Sequence, residues 1–244
     1  VGSDNFKKEL SINIIFTVLI FLASYYLYVL TGDFLQWTAF GIGVYVICNW
    51  IHGLKNRDPV AFLLIFKSKA LLLGLLSFPF ITFVTYALGA FGPSFYIRNF
   101  SMTATEVGII YGLITVFGSM IGVICGGILG DKLRETYVNG KLYLIMASAV
   151  LTGVTAIGFI HSENLVASFT WKFVYHIAST AWLGCAASTV TELVLPRLRA
   201  VASAFFILML SMIGLALGPY LTGMVSDIYI NSGLLPGPAL KNAM

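Results

Sequence analysis

Long apolar runs are the feature of this sequence that most limits how it can fold. A helix that crosses a bilayer needs about 20 mostly apolar residues, and the 244-residue chain contains seven such runs. They lie near residues 10–30, 36–54, 70–93, 106–130, 142–160, 168–194 and 200–226. Hydrophobic residues make up 59% of the chain and charged residues only 10%, which is unlike a soluble domain. The sequence therefore predicts an all-α integral membrane protein with about seven transmembrane helices.

The charges between the apolar runs predict the orientation of the chain. Lysine and arginine accumulate on the cytoplasmic side of membrane proteins. With residues 1–9 placed inside, eleven basic residues are cytoplasmic, namely Lys7, Lys8, Lys55, Arg57, Lys67, Lys69, Lys132, Arg134, Lys141, Arg197 and Arg199. Three are outside, namely Arg98, Lys172 and Lys241. We therefore expect a multi-pass protein of the cell or bacterial inner membrane, with a cytoplasmic N-terminus and an extracytoplasmic C-terminus.

Four segments follow from the positions of the runs. Residues 1–54 are expected to form a transmembrane hairpin and 55–69 a cytoplasmic connector, followed by five membrane helices in 70–226. Residues 227–244 are expected to be an extracytoplasmic loop, because their sequence is punctuated by glycine and proline. The odd number of spans, the start without methionine and the terminal loop predict a fragment of a longer protein.

Glycines at four-residue spacing occur on two of the predicted helices. Small residues at this spacing let helix backbones approach closely in a bilayer. The first ridge comprises Gly118, Gly122, Gly126 and Gly130, and the second comprises Gly214, Gly218, Pro219 and Gly223. Pro219 also removes a backbone donor and favours a bend. The pattern predicts surfaces that pack against neighbouring helices, either as static contacts or as surfaces that slide during a conformational change.

The charged residues after the first ridge carry a motif. The stretch GGILGDKLR, residues 126–134, resembles the cytoplasmic loop signature G-x-L-[AG]-D-[RK]-x-G-[RK] of the major facilitator superfamily. Five residues fit it: Gly127, Leu129, Gly130, Asp131 and Lys132. The later glycine is replaced by Arg134. The resemblance implies that Asp131 latches one conformation by capping a helix of the opposite transporter half. The alternative is a local pair between Asp131 and Arg134.

A longer resemblance points to the Spinster-like branch of that superfamily. Residues 192–227 look like helix eleven and its preceding loop, with matches at Pro196, Arg197, Arg199, Ala200, Gly214, Gly218, Pro219, Gly223 and Asp227. The stretch YALGAFGPSFYIR, residues 86–98, resembles the outer end of helix seven. The resemblance implies helices seven to eleven of a 12-helix or 14-helix fold, which works with an N-terminal half. Residues 10–54 are either helices five and six or an inserted pair.

A few polar and aromatic residues are candidates for a substrate or proton pathway. Ionisable groups inside a bilayer are costly, and an imidazole titrates near neutral pH, so His176 is a candidate proton carrier. The other candidates for the pathway are Ser179, Thr180, Glu192, Tyr86 and Phe91. The alternative for His176 is a structural hydrogen bond to another helix. Glu192 is expected to be solvated or paired with Arg197 or Arg199.

The resemblance implies a secondary active transporter that uses alternating access. The candidate proton carrier His176 adds the expectation that transport is coupled to protons. Its expected partners are the lipid bilayer and a small organic or amphiphilic, lysolipid-like substrate. A seven-helix receptor is opposed by the cytoplasmic N-terminus and by the absence of lysine from the last span. A membrane-embedded enzyme would need convergent acid, base or metal groups, and the sequence shows none. We expect no enzyme activity, no cofactor or metal, and no binding of nucleic acid.

Overall fold

The computed structural model describes residues 3–244, with side chains described from residue 10 onward, and this part of the chain is helical almost throughout. The first seven helices are α1 (Ser3–Thr31), α2 (Phe34–Arg57), α3 (Pro59–Lys67), α4 (Lys69–Phe100), α5 (Ala104–Thr136), α6 (Gly140–His161) and α7 (Leu165–Glu192). A 3-10 turn, Pro196–Leu198, leads to α8 (Arg199–Met209), a π-helical stretch (Leu210–Leu215), α9 (Gly218–Asn231) and α10 (Pro236–Ala243).

The chain divides into two compact units, one up to Lys69 and one from Ala70 to Met244. In the first unit, α1 and α2 form an antiparallel hairpin that turns at Gly32, whose φ of 82° suits a residue without a Cβ. A Cβ on Gly41 of α2 would overlap the Ser24 hydroxyl of α1, so the two helices are in close contact there. Most apolar side chains of this hairpin are exposed, as expected for helices that face lipid.

In the second unit, α7 packs along both α5 and α6. One end of this unit holds a cluster of buried side chains, which we call the aromatic end. Its members are Leu88, Phe95, Tyr96, Val107, Tyr111, Ala156, Phe159, Ile160, Tyr175 and Leu240. The rings pack edge to face or stacked, for example Phe95 against Phe159 at 6.1 Å between centroids. The cluster joins α4, α5, α6, α7 and α10.

Six helical segments are long and apolar enough to cross a bilayer, judged by length and composition over the described residues. These are α1, α2, α4, α5, α6 and the run from Pro196 to Asn231. The remaining predicted span corresponds to α7, which is long enough at 28 residues but carries a row of polar residues. Because α7 lies between α5 and α6, that row faces other helices instead of lipid.

The prediction that residues 227–244 form a loop was wrong about their conformation. Helix α9 continues to Asn231, and α10 follows after a turn at Gly233, where φ is 98°. Pro236 stands in the first turn of α10, where its missing N–H costs nothing. Ala239 and Leu240 are fully buried, and burial of these apolar side chains holds the short helix in place.

The apolar run 200–226 is also not one regular helix. The backbone is α-helical to Met209, π-helical over Leu210–Leu215, and α-helical again from Gly218. Pro219 lies in the first turn of α9, where it needs no hydrogen-bonding partner for its nitrogen. The interruption therefore falls where the second glycine ridge lies.

Candidate functional site

Helices α5 and α7 meet along the first glycine ridge, and we call this contact the α5–α7 seam. A Cβ on Gly118 would lie 2.8 Å from the Cβ of His176, and a Cβ on Gly126 would overlap the carbonyl oxygen of Ala181. Gly122 and Gly130 face Thr180 and Cys185 in the same way. Only glycine permits backbones this close. The first ridge is therefore a packing surface for α7.

Polar side chains cross the same seam. The Nε2 atom of His176 lies 3.0 Å from the hydroxyl oxygen of Thr115 on α5. The hydroxyl of Thr180 donates to the carbonyl oxygens of His176 at 2.7 Å and of Ser119 at 3.2 Å. Ser179 is buried, and its hydroxyl donates to the His176 carbonyl at 3.4 Å. The structure thus brings His176, Ser179 and Thr180 together and gives each of them a partner.

A fourth polar residue, Lys172, lies one turn before His176 on α7. Its side chain is fully buried, and its Nζ atom lies 4.9 Å from the ring centre of Tyr111, 4.4 Å from that of Phe159 and 4.5 Å from that of Tyr175. Neither this nitrogen nor the hydroxyl of Tyr175 has a hydrogen-bonding partner among the side chains described. The three rings form an aromatic cage around the Lys172 nitrogen.

The sequence analysis counted Lys172 as a charge outside the membrane, and the structure corrects this. Lys172 is the eighth residue of α7 and points into the bundle. A signal for this was present in the sequence, because Ser168, Lys172, His176 and Thr180 recur every fourth residue. Residues at this spacing share one face of a helix. A lysine in line with three polar residues of a membrane helix belongs to the buried face.

The aromatic candidates on α4 lie outside the seam. Tyr86 is 42% exposed, and Phe91 is half-buried beside α9. A Cβ on Gly223 would lie 3.3 Å from the Phe91 ring. Tyr86 therefore shares no buried site with His176.

The second glycine ridge packs on α4. A Cβ on Gly218 would lie 2.6 Å from the carbonyl oxygen of Phe83, and a Cβ on Gly214 would overlap the hydroxyl of Thr82. Both glycines are buried, whereas Pro219 is only half-buried. The interrupted run of α8 and α9 is thus held against α4 by close backbone contact.

The signature residues lie in the last turns of α5, since this helix continues to Thr136. The part of the signature after residue 130, which was expected to be a cytoplasmic loop, is therefore helical. Gly127 is half-buried, with open space where a side chain would be. Asp131 and Lys132 are exposed, and Asp131 forms no ion pair with any other side chain in residues 10–244. The alternative of a local Asp131–Arg134 pair is therefore wrong.

Arg134 takes part in a different arrangement, which we call the charged end and which consists of Arg134, Lys141 and Glu192. The Lys141 ammonium and the Glu192 carboxylate form a direct ion pair. The Arg134 guanidinium lies 4.0 Å from the same carboxylate and donates to the carbonyl oxygen of Val138. The expectation that Glu192 pairs with Arg197 or Arg199 was wrong, because the end of α7 lies beside α5 and α6.

Arg197 lies within the 3-10 turn before α8 and Arg199 is the first residue of α8, and both are exposed. Neither forms an ion pair with the other side chains of residues 10–244. The turn directs Leu198, which is buried, toward the bundle, and this leaves the arginines on the opposite side.

A cavity of about 460 Å³ adjoins the charged end. Its walls combine the start of α4, the α5–α6 connection and the end of α7. Leu71, Phe78 and Leu142 supply apolar surface, while Arg134, Lys141 and Glu192 supply charge. Among the residues searched, which are those described, no group of three His, Cys, Asp or Glu side chains is placed to hold a metal ion.

Comparison with known proteins gives relatives that the chain matches in part. An MFS-type efflux pump of Mycolicibacterium smegmatis is 32% identical over 149 residues, which are 61% of this chain and 34% of the pump. Protein spinster of Drosophila melanogaster is 26% identical over 173 residues, which are 66% of this chain and 28% of that protein. The chain thus spans about a third of the length of these relatives. No family model matches it.

Two solved structures share its fold. Both are crystal structures of a bacterial homologue of the human lysosomal transporter Spinster in inward-facing conformations, one unoccupied and one occupied. The TM-scores are 0.61 and 0.56, each at 25% identity over 78% of this chain, and they cover 45% and 44% of the solved chains. By sequence and by fold, this integral membrane chain is similar to an MFS-type efflux pump and to Spinster proteins over part of their length.

Proposed function

We propose that the chain is the C-terminal part of a secondary active transporter that works by alternating access together with an N-terminal half. The observation that carries the proposal is its fold likeness to a Spinster homologue together with its sequence likeness to an efflux pump. In transporters of this kind, two helix bundles rock around a site between them. The close glycine contacts of the α5–α7 seam, from Gly118 to Gly130, support joint movement of these two helices along that stretch.

The charged end is assigned to the cytoplasmic side. This assignment follows from the distribution of lysine and arginine between the helices. Because Lys172 is buried, it no longer counts as a basic residue outside the membrane, and the excess of lysine and arginine on the cytoplasmic side becomes larger. In this orientation Asp131 is exposed at the cytoplasmic surface, without an ion-pair partner among residues 10–244, and is available to cap a helix of the N-terminal half.

The substrate is proposed to be a small organic or amphiphilic molecule of the lysolipid type. The resemblance to Spinster-like proteins supports this choice, and so does the cavity at the charged end. That cavity sets apolar walls beside two cationic side chains and one carboxylate. A molecule with one acyl chain and a charged headgroup matches both kinds of surface.

Transport is proposed to be coupled to protons through His176. This residue is the one imidazole in residues 10–244 that is buried, and its ring has a hydrogen-bonding partner on a second helix. Gain or loss of a proton at Nε2 changes whether this atom donates to Thr115 or accepts from it. The α5–α7 contact is thereby sensitive to the charge of the ring.

Uptake into proteoliposomes tests the function. The complete transporter, reconstituted with a fluorescent lysolipid outside and a pH difference across the membrane, should accumulate the lipid faster than empty liposomes. Collapse of the pH difference with a protonophore should remove the accumulation. Flux equal to that of empty liposomes, measured with protein that is monodisperse and folded, would count against a transporter of lysolipids.

A further inference from the structure

The buried Lys172 has no place in the function proposed above. Its Nζ atom is enclosed by Tyr111, Phe159 and Tyr175 at 4.4 to 4.9 Å and is fully shielded from solvent. It has no hydrogen-bonding partner in the part of the chain whose side chains are described. A charged group in such a position of a membrane protein marks a functional site by default.

Lys172 contacts three rings of the aromatic end, and that cluster is built from five helices. The titratable groups in the cluster or next to it are tyrosines and a histidine: Tyr96 of α4, Tyr111 of α5, and Tyr175 and His176 of α7. Helix α6 contributes the apolar Phe159, and its His161 is exposed. Helix α10 contributes Leu240 to the same cluster, followed by the partly exposed Lys241. No carboxylate in residues 10–244 forms an ion pair with Lys172.

The aromatic cage attracts a cation, but it does not make up for the hydration that a charged Lys172 would lose on burial. An ammonium group over aromatic faces gains cation–π energy. Withdrawal from water costs more than this gain unless a counter-ion and hydrogen bonds are present, and both are missing here. The neutral amine is therefore the form that suits the packed arrangement. Tyr111, Phe159 and Tyr175 belong to three different helices, so separation of these helices would admit water to the amine.

We propose that Lys172 is a proton-binding site that ties protonation to the separation of α5, α6 and α7 at the aromatic end. When the helices separate, the lone pair of Nζ takes one proton from water and the group becomes a hydrated ammonium. When they close, the proton returns to water. No other bond changes. Acid thus favours the open arrangement and alkali the packed one.

The site itself is independent of transport, whereas its part in a transport cycle rests on the proposed function. In that cycle the proton held by Lys172 would favour an open aromatic end. A measurement of stability on the chain alone therefore tests the site, and a measurement of uptake tests its use. The two can fail separately.

The first experiment compares melting temperatures of the chain in nanodiscs between pH 6 and pH 9. Wild type should lose stability toward pH 6, because the unfolded chain binds a proton at Lys172 that the packed chain excludes. Lys172→Met replaces the amine with an apolar chain of similar length. It should flatten the pH profile, with a difference from wild type that grows by about 3 °C or more toward pH 6. The matched control is Lys69→Met, an exposed lysine, which should keep the wild-type profile.

A third variant tests whether a permanent charge at position 172 destabilises the packed chain. Lys172→Arg cannot lose its charge in this range. It should melt below wild type at both pH values, with the larger deficit at pH 9. Equal pH profiles for wild type and Lys172→Met would overturn the proposal, as would a Lys172→Arg protein that melts like wild type throughout.

A direct measurement covers the case in which the variants do not fold. In wild-type chain labelled with ¹⁵N-lysine, one Nζ signal should have the chemical shift of a neutral amine at pH 9 and move toward the ammonium shift as the pH falls. Ammonium signals alone across the whole range would overturn the proposal. If the signal moves but the complete transporter carries no lysolipid, the site stands and the proposed function falls.

Discussion

At the scale of single residues, His176 combines a titratable ring with a partner on another helix. His176→Gln keeps an amide that can hydrogen-bond the Thr115 hydroxyl but does not titrate. We expect the variant to fold and to exchange substrate across the membrane, while uptake driven by a pH difference drops to the level seen without that difference. Proteoliposome uptake at several imposed pH differences measures this.

The companion variant Thr115→Val keeps the imidazole and removes its partner. Uptake should still depend on the pH difference, because the imidazole still titrates between the rings of Tyr111 and Tyr175. Its pH profile should be displaced, because the hydrogen bond to Thr115 is lost. Gradient-driven uptake at the wild-type rate in His176→Gln would refute proton coupling through His176.

Glu192 is the second residue whose contacts make a sharp prediction. Its carboxylate joins α7 to Lys141 of α6 and Arg134 of α5, and it is 44% exposed. Exposed ion pairs contribute about 0–1 kcal/mol each. Glu192→Gln should therefore lower the melting temperature by only about 2–4 °C, and high salt should shrink the difference from wild type. Glu135→Gln, an exposed carboxylate that pairs with no other side chain in residues 10–244, should change neither value.

At the scale of helices, two adjacent glycines of α5 provide a matched pair. A Cβ on Gly126 would overlap the backbone of Ala181, while a Cβ on Gly127 would meet nothing within 4 Å. Gly126→Ala should cost about 1–3 kcal/mol by forcing α5 and α7 apart. Gly127→Ala should be neutral or stabilise by up to about 1 kcal/mol through helix propensity. Thermal unfolding in nanodiscs compares them, and equal effects would mean that the seam does not limit stability.

At the scale of the whole molecule, the proposed role of Asp131 is to contact the N-terminal half of the transporter. It is exposed and has no ion-pair partner in residues 10–244, so its removal breaks no ion pair among the described residues of the second unit. Asp131→Asn should leave the melting temperature of the chain within about 1 °C and change the transport rate of the complete protein several-fold. Uptake time courses with Glu135→Gln as the control decide this. Undiminished flux would refute the proposed role of Asp131 in the contact with the N-terminal half.

Features that depend on the spacing of nearby residues could be predicted from the sequence. The four-residue spacing of Gly118 to Gly130 predicted close helix packing, and the structure supplies α7 as the partner. Contacts between segments that are distant along the chain could not be predicted from the sequence. Glu192 pairs with Lys141, 51 residues earlier, instead of its neighbours Arg197 and Arg199. Residues near 236–243 have a loop-like composition, but burial of Leu240 stabilises them as a helix.

The position of α10 has a consequence for the order in which the protein is made. Leu240 completes the aromatic end, yet the ribosome adds it long after Tyr111, Phe159 and Tyr175. At roughly 5–20 residues per second, the rest of that cluster exists for several seconds before Leu240 is synthesised. The α5–α7 seam needs no later segment and is complete by Glu192. Limited proteolysis of nascent chains stalled before and after Leu240 should show a protected seam in both and a protected aromatic end only in the longer chain.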